Sequence, residues 1–464
     1  MKQFKLSLVL PIIISGCSAM DKAPEEKINY ASVWEYSAES PTTINIEKEW
    51  WTLFGSAELT QLIETAQKNN SDVLIAGEHV RQAELQMQIA NASLFPSLGL
   101  NASSGENKTK AGATNANTNN ENWSKSESSR VGLTANYELD LWGGIAATRH
   151  AAKSDYKAQG FSREAIRLSV SAGVASAWFN YLALQERILT AQKNIAIAER
   201  IQNIVDSLYR NGVATAADVA QQQTNLLTQQ TSLLPLQLQL NQTRSAIALL
   251  EGQVPQSYQL ADEKFSDLHI PAIHAGVPAD VLTRRPDLAS TEARLQAASA
   301  DVYAARTAWL PSVELGANIG KSAAALFSLN PAIQTAGWSV SLVQTIFAGG
   351  RITYQVKLTE SRRIELLEQY RQTILTVLQE VDDALNRVDI AQQREINQQN
   401  IVLQSERSLH LTEILYREGG TNLLSLLDAQ RSLFQAQDSL VQQRLSRLEA
   451  TVDLYKALGG GWQK

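Results

Sequence analysis

The sequence predicts a mainly α-helical fold with a membrane β part, built by internal duplication. Three observations predict it. Short segments recur in the same order roughly 210 residues apart, and a repeat of that size dictates architecture before anything else. They are Leu94-Phe95-Pro96-Ser97 with Trp309-Leu310-Pro311-Ser312, Leu141-Trp142-Gly143-Gly144 with Phe347-Ala348-Gly349-Gly350, and Leu208-Tyr209-Arg210-Asn211-Gly212 with Leu415-Tyr416-Arg417-Glu418-Gly419. Each copy also holds paired stretches in which apolar and polar residues alternate. Each then continues into a very long helical stretch without proline.

Composition bounds the reading. A hydrophobic fraction of 44% is too low for a bundle of membrane helices. A net charge of −6 argues against a nucleic-acid partner, which needs a basic face. The single cysteine, Cys17, excludes an intrachain disulfide. Its setting is more telling. Lys2 and Lys5 precede an apolar run, Leu6 to Ile14, that is too short to span a bilayer and has the shape of a secretory signal. The run ends Ile14-Ser15-Gly16-Cys17, which resembles a bacterial lipobox whose cysteine is acylated, for example with palmitate. Residues 1–16 are therefore expected to be a signal peptide, and 17–56 an acylated, extended N-terminal segment. Ser18 follows the cysteine where an aspartate would oppose outer-membrane sorting.

The first repeat, 57–251, opens with amphipathic helices. Leu59, Leu62 and Ile63 share one face, and a second helix fits Val73 to Ala92 before Pro96 stops it. The period then changes from 3.6 to 2. Leu98, Leu100 and Ala102 alternate with Gly99, Asn101 and Ser103, and residues 104–128 read as a long wet loop. Alternation returns with Val131, Leu133, Ala135, Tyr137, Leu139 and Leu141 on one face. This strand pair occupies about 97–142. A connector, 252–277, leads to the second repeat, 278–464, whose strand pair lies at about 312–347. There Val313, Leu315, Ala317 and Ile319 share a face, as do Trp338, Val340 and Leu342.

A half-buried soluble sheet gives such a pattern. So does a transmembrane barrel with a wet lumen, whose strands need about 9–11 residues. The signal sequence, the lipobox and the polar loop between paired strands favour the barrel. Four strands cannot close one, because the smallest barrels have about eight strands and an open edge in lipid is prohibitively costly. The strands must come from several chains, though the sequence does not fix how many.

The helical stretches run from about Ile145 to Tyr209 and from about Gly350 to Tyr416, each roughly 90–100 Å long at 1.5 Å per residue. Each turns at glycine and returns, over about Ala216–Glu251 and Leu423–Leu458. Val219, Leu226, Leu233 and Leu240 form one coiled-coil seam, and Leu426, Leu433, Leu440 and Leu454 the other. Glutamine fills the remaining positions, as suits water-facing helix surfaces. A long coiled-coil lipoprotein without a pore is the plainer alternative.

Together these residues resemble the TolC family of outer-membrane channels, in its OprM-like (NodT-type) lipoprotein branch. The carriers are Trp50-Trp51, Tyr137-Glu138-Leu139-Asp140-Leu141-Trp142-Gly143, Val281-Leu282-Thr283-Arg284-Arg285-Pro286-Asp287-Leu288, and Asp428-Ala429-Gln430. The resemblance spans nearly the whole chain. It implies a homotrimer whose twelve strands form one barrel in outer-membrane lipid, continuous with a periplasmic α-helical barrel. It also implies a periplasmic adaptor (a membrane fusion protein) and an inner-membrane transporter of the resistance-nodulation-division type. The protein would be the passive exit duct of such a tripartite pump, anchored in the bacterial outer membrane and conducting drugs and other toxic small molecules. A duct for type I protein secretion is the alternative within the fold.

A duct needs no nucleophile, and no catalytic triad, phosphate loop or cofactor motif is present. The five histidines, His79, His150, His269, His274 and His410, show no metal-ligand spacing, and the scarcity of methionine argues against a copper or silver duct. Leu424, Asp428 and Arg431 are spaced four and three apart and share one helix stripe. The resemblance puts them in a periplasmic gate, where symmetry gathers three copies of Asp428 near one axis. Ser425 stands where some relatives carry a second aspartate. Asp218 is a further candidate for that mouth. An ordinary surface pair, worth under about 1 kcal/mol, is the plainer reading of Asp428 and Arg431. Gly212, Val213, Gly419 and Gly420 mark the hairpin tips, which by resemblance dock the adaptor.

Overall fold

The structure, a computed structural model, describes residues 34–35, 47–110, 123–273, 276 and 278–462. Cys17 and His274 lie outside them. The chain divides into two compact units.

One unit contains Arg81–Ala158 and Glu292–Gln369. Its centre is a four-stranded antiparallel sheet in the order β1 (Ser97–Lys110), β2 (Trp123–Leu139), β3 (Ser312–Ala323), β4 (Ile333–Val343). The register puts like residues on like faces. Leu100, Leu133, Ile319 and Ala336 lie side by side, as do Leu98, Ala135, Ala317 and Trp338. The opposite face carries Gly99, Thr134, Asn318 and Gly337. Each strand thus has the two faces that its alternation predicts.

Within the expected wet loop over 104–128, residues 104–110 and 123–128 are strand, and 111–122 lie outside the described residues. β1 continues to Lys110 and β2 begins at Trp123. Alternation of apolar residues could not reveal this ribbon, because both of its faces are polar. Ion pairs hold it instead: Lys125 Nζ lies 2.8 Å from Glu106 on the neighbouring strand and 2.7 Å from Glu127 on its own strand.

Helix α3 (Gly144–Arg210) starts directly after β2. Asp140 accepts from the backbone N–H groups of Ile145 (3.1 Å) and Ala146 (2.7 Å), satisfying donors that have no partner within the helix. Trp142 Nε1 donates to the Pro311 carbonyl at 2.7 Å, tying the β2 exit to the β3 entry. Ala151, Ala297 and Ala300 form a small core where α3 meets α6 (Pro286–Thr307).

The second unit contains, among the described residues, 34–35, 47–80, 159–273, 276, 278–291 and 370–462. Residues 50–54, expected to be part of an extended segment, form a 3-10 turn. Trp50, Trp51 and Phe54 are buried there, and apolar burial folds the backbone in where its polar neighbours gave no sign of it. The Trp50 ring stacks on Tyr455 at 5.1 Å, and Phe54 meets Phe179 at 4.9 Å. Ser56 caps α1 (Ala57–Asn69) by accepting from Leu59 N–H, and also accepts from Trp178 Nε1. Helix α2 (Ser71–Ala92) follows, and a short α5 (Pro278–Arg284) precedes α6.

The long hairpins match their expected bounds within a residue or two: α4 is Ala216–Leu250, α7 is Arg351–Arg417 and α8 is Leu423–Ala457. Of the seam residues, Leu226, Leu426, Leu433 and Leu454 are buried. Not every glutamine faces water. Gln222 is buried and donates to the Ala198 carbonyl at 2.8 Å, and buried Gln430 accepts from Asn225 at 3.0 Å. Their amides tie neighbouring helices together, a use that composition alone cannot distinguish from solvation.

Candidate functional site

Both glycine turns close in the same way. At the first, Gly212 N–H donates to Tyr209 O and Val213 N–H to Leu208 O. At the second, Gly419 N–H donates to Tyr416 O and Gly420 N–H to Leu415 O. This is the Schellman pattern. It requires positive φ at its glycine, observed as 75° at Gly212 and 78° at Gly419. Val213 is left 68% exposed at its tip.

Thr215 then starts α4 with a capping box. Its hydroxyl accepts from Asp218 N–H, and Asp218 Oδ2 accepts from Thr215 N–H at 2.8 Å. Asp218 therefore has a local structural role. Its charge, together with the burial that is the larger cause, raises the Tyr416 hydroxyl above its ordinary pKa. Asn422 caps α8, accepting from both the backbone N–H and the hydroxyl of Ser425. Ser425 is thus occupied as a capping partner.

Leu424, Asp428 and Arg431 share the exposed stripe of α8 that their spacing predicts. Leu424 is 56% exposed, while Leu423, Leu426 and Leu427 pack into the hairpin core. Arg431 Nη1 lies 3.5 Å from Asp428 Oδ1, an exposed pair. Among the described residues no hydrogen bond or ion pair joins Asp218 to this stripe.

Sequence reasoning missed the buried charges of the helices. Glu413 receives both Arg200 (2.8 Å) and Arg417 (3.2 Å). Buried Glu395 receives Arg447 (2.9 Å) and Arg444 (3.5 Å), and Arg187 forks onto Asp438. The four-residue spacing of Glu413 and Arg417 was a readable signal. The partners on other helices had none.

The Arg284-Arg285-Pro286-Asp287 segment has a local explanation. Pro286 opens α6, where its missing N–H costs nothing. Arg285, 8% exposed, forks onto Asp287 and also donates to Glu380 (2.7 Å) and to the Ala457 carbonyl (3.0 Å). Burial alone would raise the Asp287 pKa, but the Arg285 hydrogen bonds and charge more than offset it and hold it below the ordinary value.

Among the described residues no group of His, Cys, Asp and Glu is arranged to hold a metal, and no helix is long and apolar enough to cross a membrane. The structure thus offers a two-faced sheet with unpaired edges and long hairpins with capped tips.

The comparisons agree with that outline. Residues 62–253 and 277–460 match the profile of the outer membrane efflux protein family. The pyoverdine export outer membrane protein OpmQ of Pseudomonas aeruginosa is 36% identical, over 100% of this chain and 98% of its own. The antibiotic efflux pump outer membrane protein ArpC of Pseudomonas putida is 31% identical, over 98% of this chain and 94% of its own. The solved structure of the Campylobacter jejuni CmeC outer membrane channel superposes with a TM-score of 0.87 at 25% identity, covering 96% of each chain.

The chain belongs to the outer membrane efflux protein family. It is an outer-membrane channel, the exit duct of a tripartite efflux pump, and not an enzyme.

Proposed function

We propose that three copies of this chain close one twelve-stranded barrel. The assembled duct takes small organic compounds, drugs among them, from a resistance-nodulation-division transporter through a periplasmic adaptor. One observation carries the reading: β1 pairs only with β2, and β4 only with β3, so both sheet edges are open among the described residues. In lipid, an open edge leaves donors and acceptors unpaired at several kcal/mol each, roughly. Pairing β4 of one copy with β1 of the next removes every edge. Acylation at Cys17 adds a lipid anchor to the barrel.

Leu424, Asp428 and Arg431 form the resting constriction, and the tips at Gly212, Val213, Gly419 and Gly420 receive the adaptor. The exposed stripe on α8 and the exposed Val213 support these roles. Relatives named for pyoverdine and antibiotic export favour a small-molecule cargo over a secreted protein. Cross-linking in intact cells tests the assembly and is expected to recover an adaptor and an inner-membrane transporter. Single-channel recording tests the gate. Asp428→Ala is expected to raise resting conductance, and an unchanged closed state removes Asp428 from that role.

A further inference from the structure

We propose that the lipid-facing side of the sheet holds a phosphorylated glycolipid of the outer leaflet, with Lys321 as its phosphate ligand. The register shows where the apolar face ends. Leu139, Val313 and Leu342 lie side by side at one end, followed by the Tyr137, Ala135 and Leu133 rows. In the next row Val131 and Ala102 stand beside Lys321, with Gln334 on β4. From Leu139 to Val131 the face covers about 27 Å along the strand at 3.4 Å per residue. A tilt of about 40° reduces this to roughly 20 Å of membrane depth, close to the apolar band of such barrels. Helix α3 leaves the Leu139 end, so Lys321 stands at the outer boundary of the band.

Lys321 is the cation at that level of the face; Lys110 shares the face but stands eight residues beyond Ala102 on β1. Lys125 is held by Glu106 and Glu127, and Lys108 by Glu106, whereas Lys321 makes no ion pair among the described residues. Below it lies a hollow of about 410 Å³ lined by Leu100, Val131, Leu133, Ile319 and Ala336. The small side chain of Ala336 beside Ile319 leaves that space. A cation at the rim of an apolar hollow suits an anionic headgroup carrying acyl chains; a bare phosphate would leave the hollow unused.

A third feature closes the outer side. Ser129 Oγ donates to the Ala325 carbonyl (2.7 Å), Leu326 N–H to Glu127 (3.3 Å) and Phe327 N–H to Ser104 Oγ (2.9 Å). Ser104, Glu127 and Ser129 all lie on the lipid-facing side, so the β3–β4 loop folds onto that face just beyond Lys321. It holds Phe327 86% exposed, with φ of 53°, in a left-handed conformation rare outside glycine. An aromatic ring at this level is an interface anchor.

The test uses full-length protein, purified in detergent, stripped of lipid and examined by native mass spectrometry. The probes are diphosphoryl lipid A, its dephosphorylated form and inorganic phosphate. Wild type is expected to bind one diphosphoryl molecule per chain and the dephosphorylated form far more weakly. Lys321→Glu is expected to lower diphosphoryl binding about tenfold, and Ile319→Asn to lower it too. Arg130→Glu, on the opposite face, is expected to change nothing. If Lys321→Glu does not assemble, Lys321→Gln provides the same comparison. Equal binding by wild type and the Lys321 variant overturns the proposal. So does equal binding of the two lipid forms, or full displacement of the lipid by inorganic phosphate.

Discussion

Arg285 shows how a motif can be visible in a sequence while its purpose is not. The segment around Pro286 stood out as a family marker, yet nothing in its spacing pointed to Glu380 or to the Ala457 carbonyl. Those partners lie far along the chain, and only the fold brings them within 3.0 Å. Removing the guanidinium strands two carboxylates and one carbonyl. Arg285→Met is expected to cost about 1–2 kcal/mol, below the range for breaking a buried pair, because the two carboxylates left behind stay in contact with water. Thermal dissociation of the purified assembly measures it. The Asp287 pKa is lowered, so this contribution is complete above the ordinary carboxylate range and is lost only as pH falls through the lower folded value. Glu251 behaves in the opposite sense. Burial raises its pKa, although the Tyr258 hydroxyl donates to it at 2.5 Å and pulls the other way. Stability from this site therefore declines as pH rises from the ordinary glutamate value through the raised one. Glu251→Gln keeps an acceptor for Tyr258 and is expected to flatten that slope, read as the midpoint of thermal unfolding against pH.

Elements were the most legible scale, for a physical reason. The hairpin helices bury a stripe every three or four residues, and each stops at a glycine that the backbone requires, so periodicity and punctuation coincide. The polar ribbon of β1 and β2 was hidden because water on both faces erases alternation. Pro235 lies inside α4, within the span the seam predicts: the helix passes through it and forgoes one backbone bond. The tips allow a sharp separation of roles. At positive φ a methyl group costs about 1 kcal/mol, so Gly212→Ala and Gly419→Ala are each expected to destabilise their hairpin by about that much. Val213→Ser alters no backbone requirement. If the tips receive an adaptor, Val213→Ser lowers cross-linking yield in cells while leaving the thermal midpoint unchanged; if glycine merely ends the helix, yield follows only the glycine variants.

At the scale of the whole molecule, the duplicated sequence placed two strand pairs in each chain, and the sheet order β1-β2-β3-β4 joins both pairs through β2 and β3. That junction was not readable, since no local signal links residues near 135 to those near 317. It produces one continuous apolar face and one continuous wet face, the property that a barrel wall requires. Two neighbouring positions on β3 separate the faces. Ala317 lies between Ala135 and Trp338 on the apolar side, and Asn318 between Thr134 and Gly337 on the wet side. An arginine at mid-depth on the lipid face costs about 2–4 kcal/mol per chain, and three copies of the chain multiply that in one assembly. The same arginine facing water displaces only solvent. Ala317→Arg is therefore expected to abolish heat-resistant assembly in the outer membrane, whereas Asn318→Arg leaves assembly intact and changes only ion selectivity. Two equally tolerated variants would mean that neither face meets lipid. Two equally damaging ones would mean that both are packed against protein. Only the unequal result fits strands that stand between a bilayer and a water-filled passage.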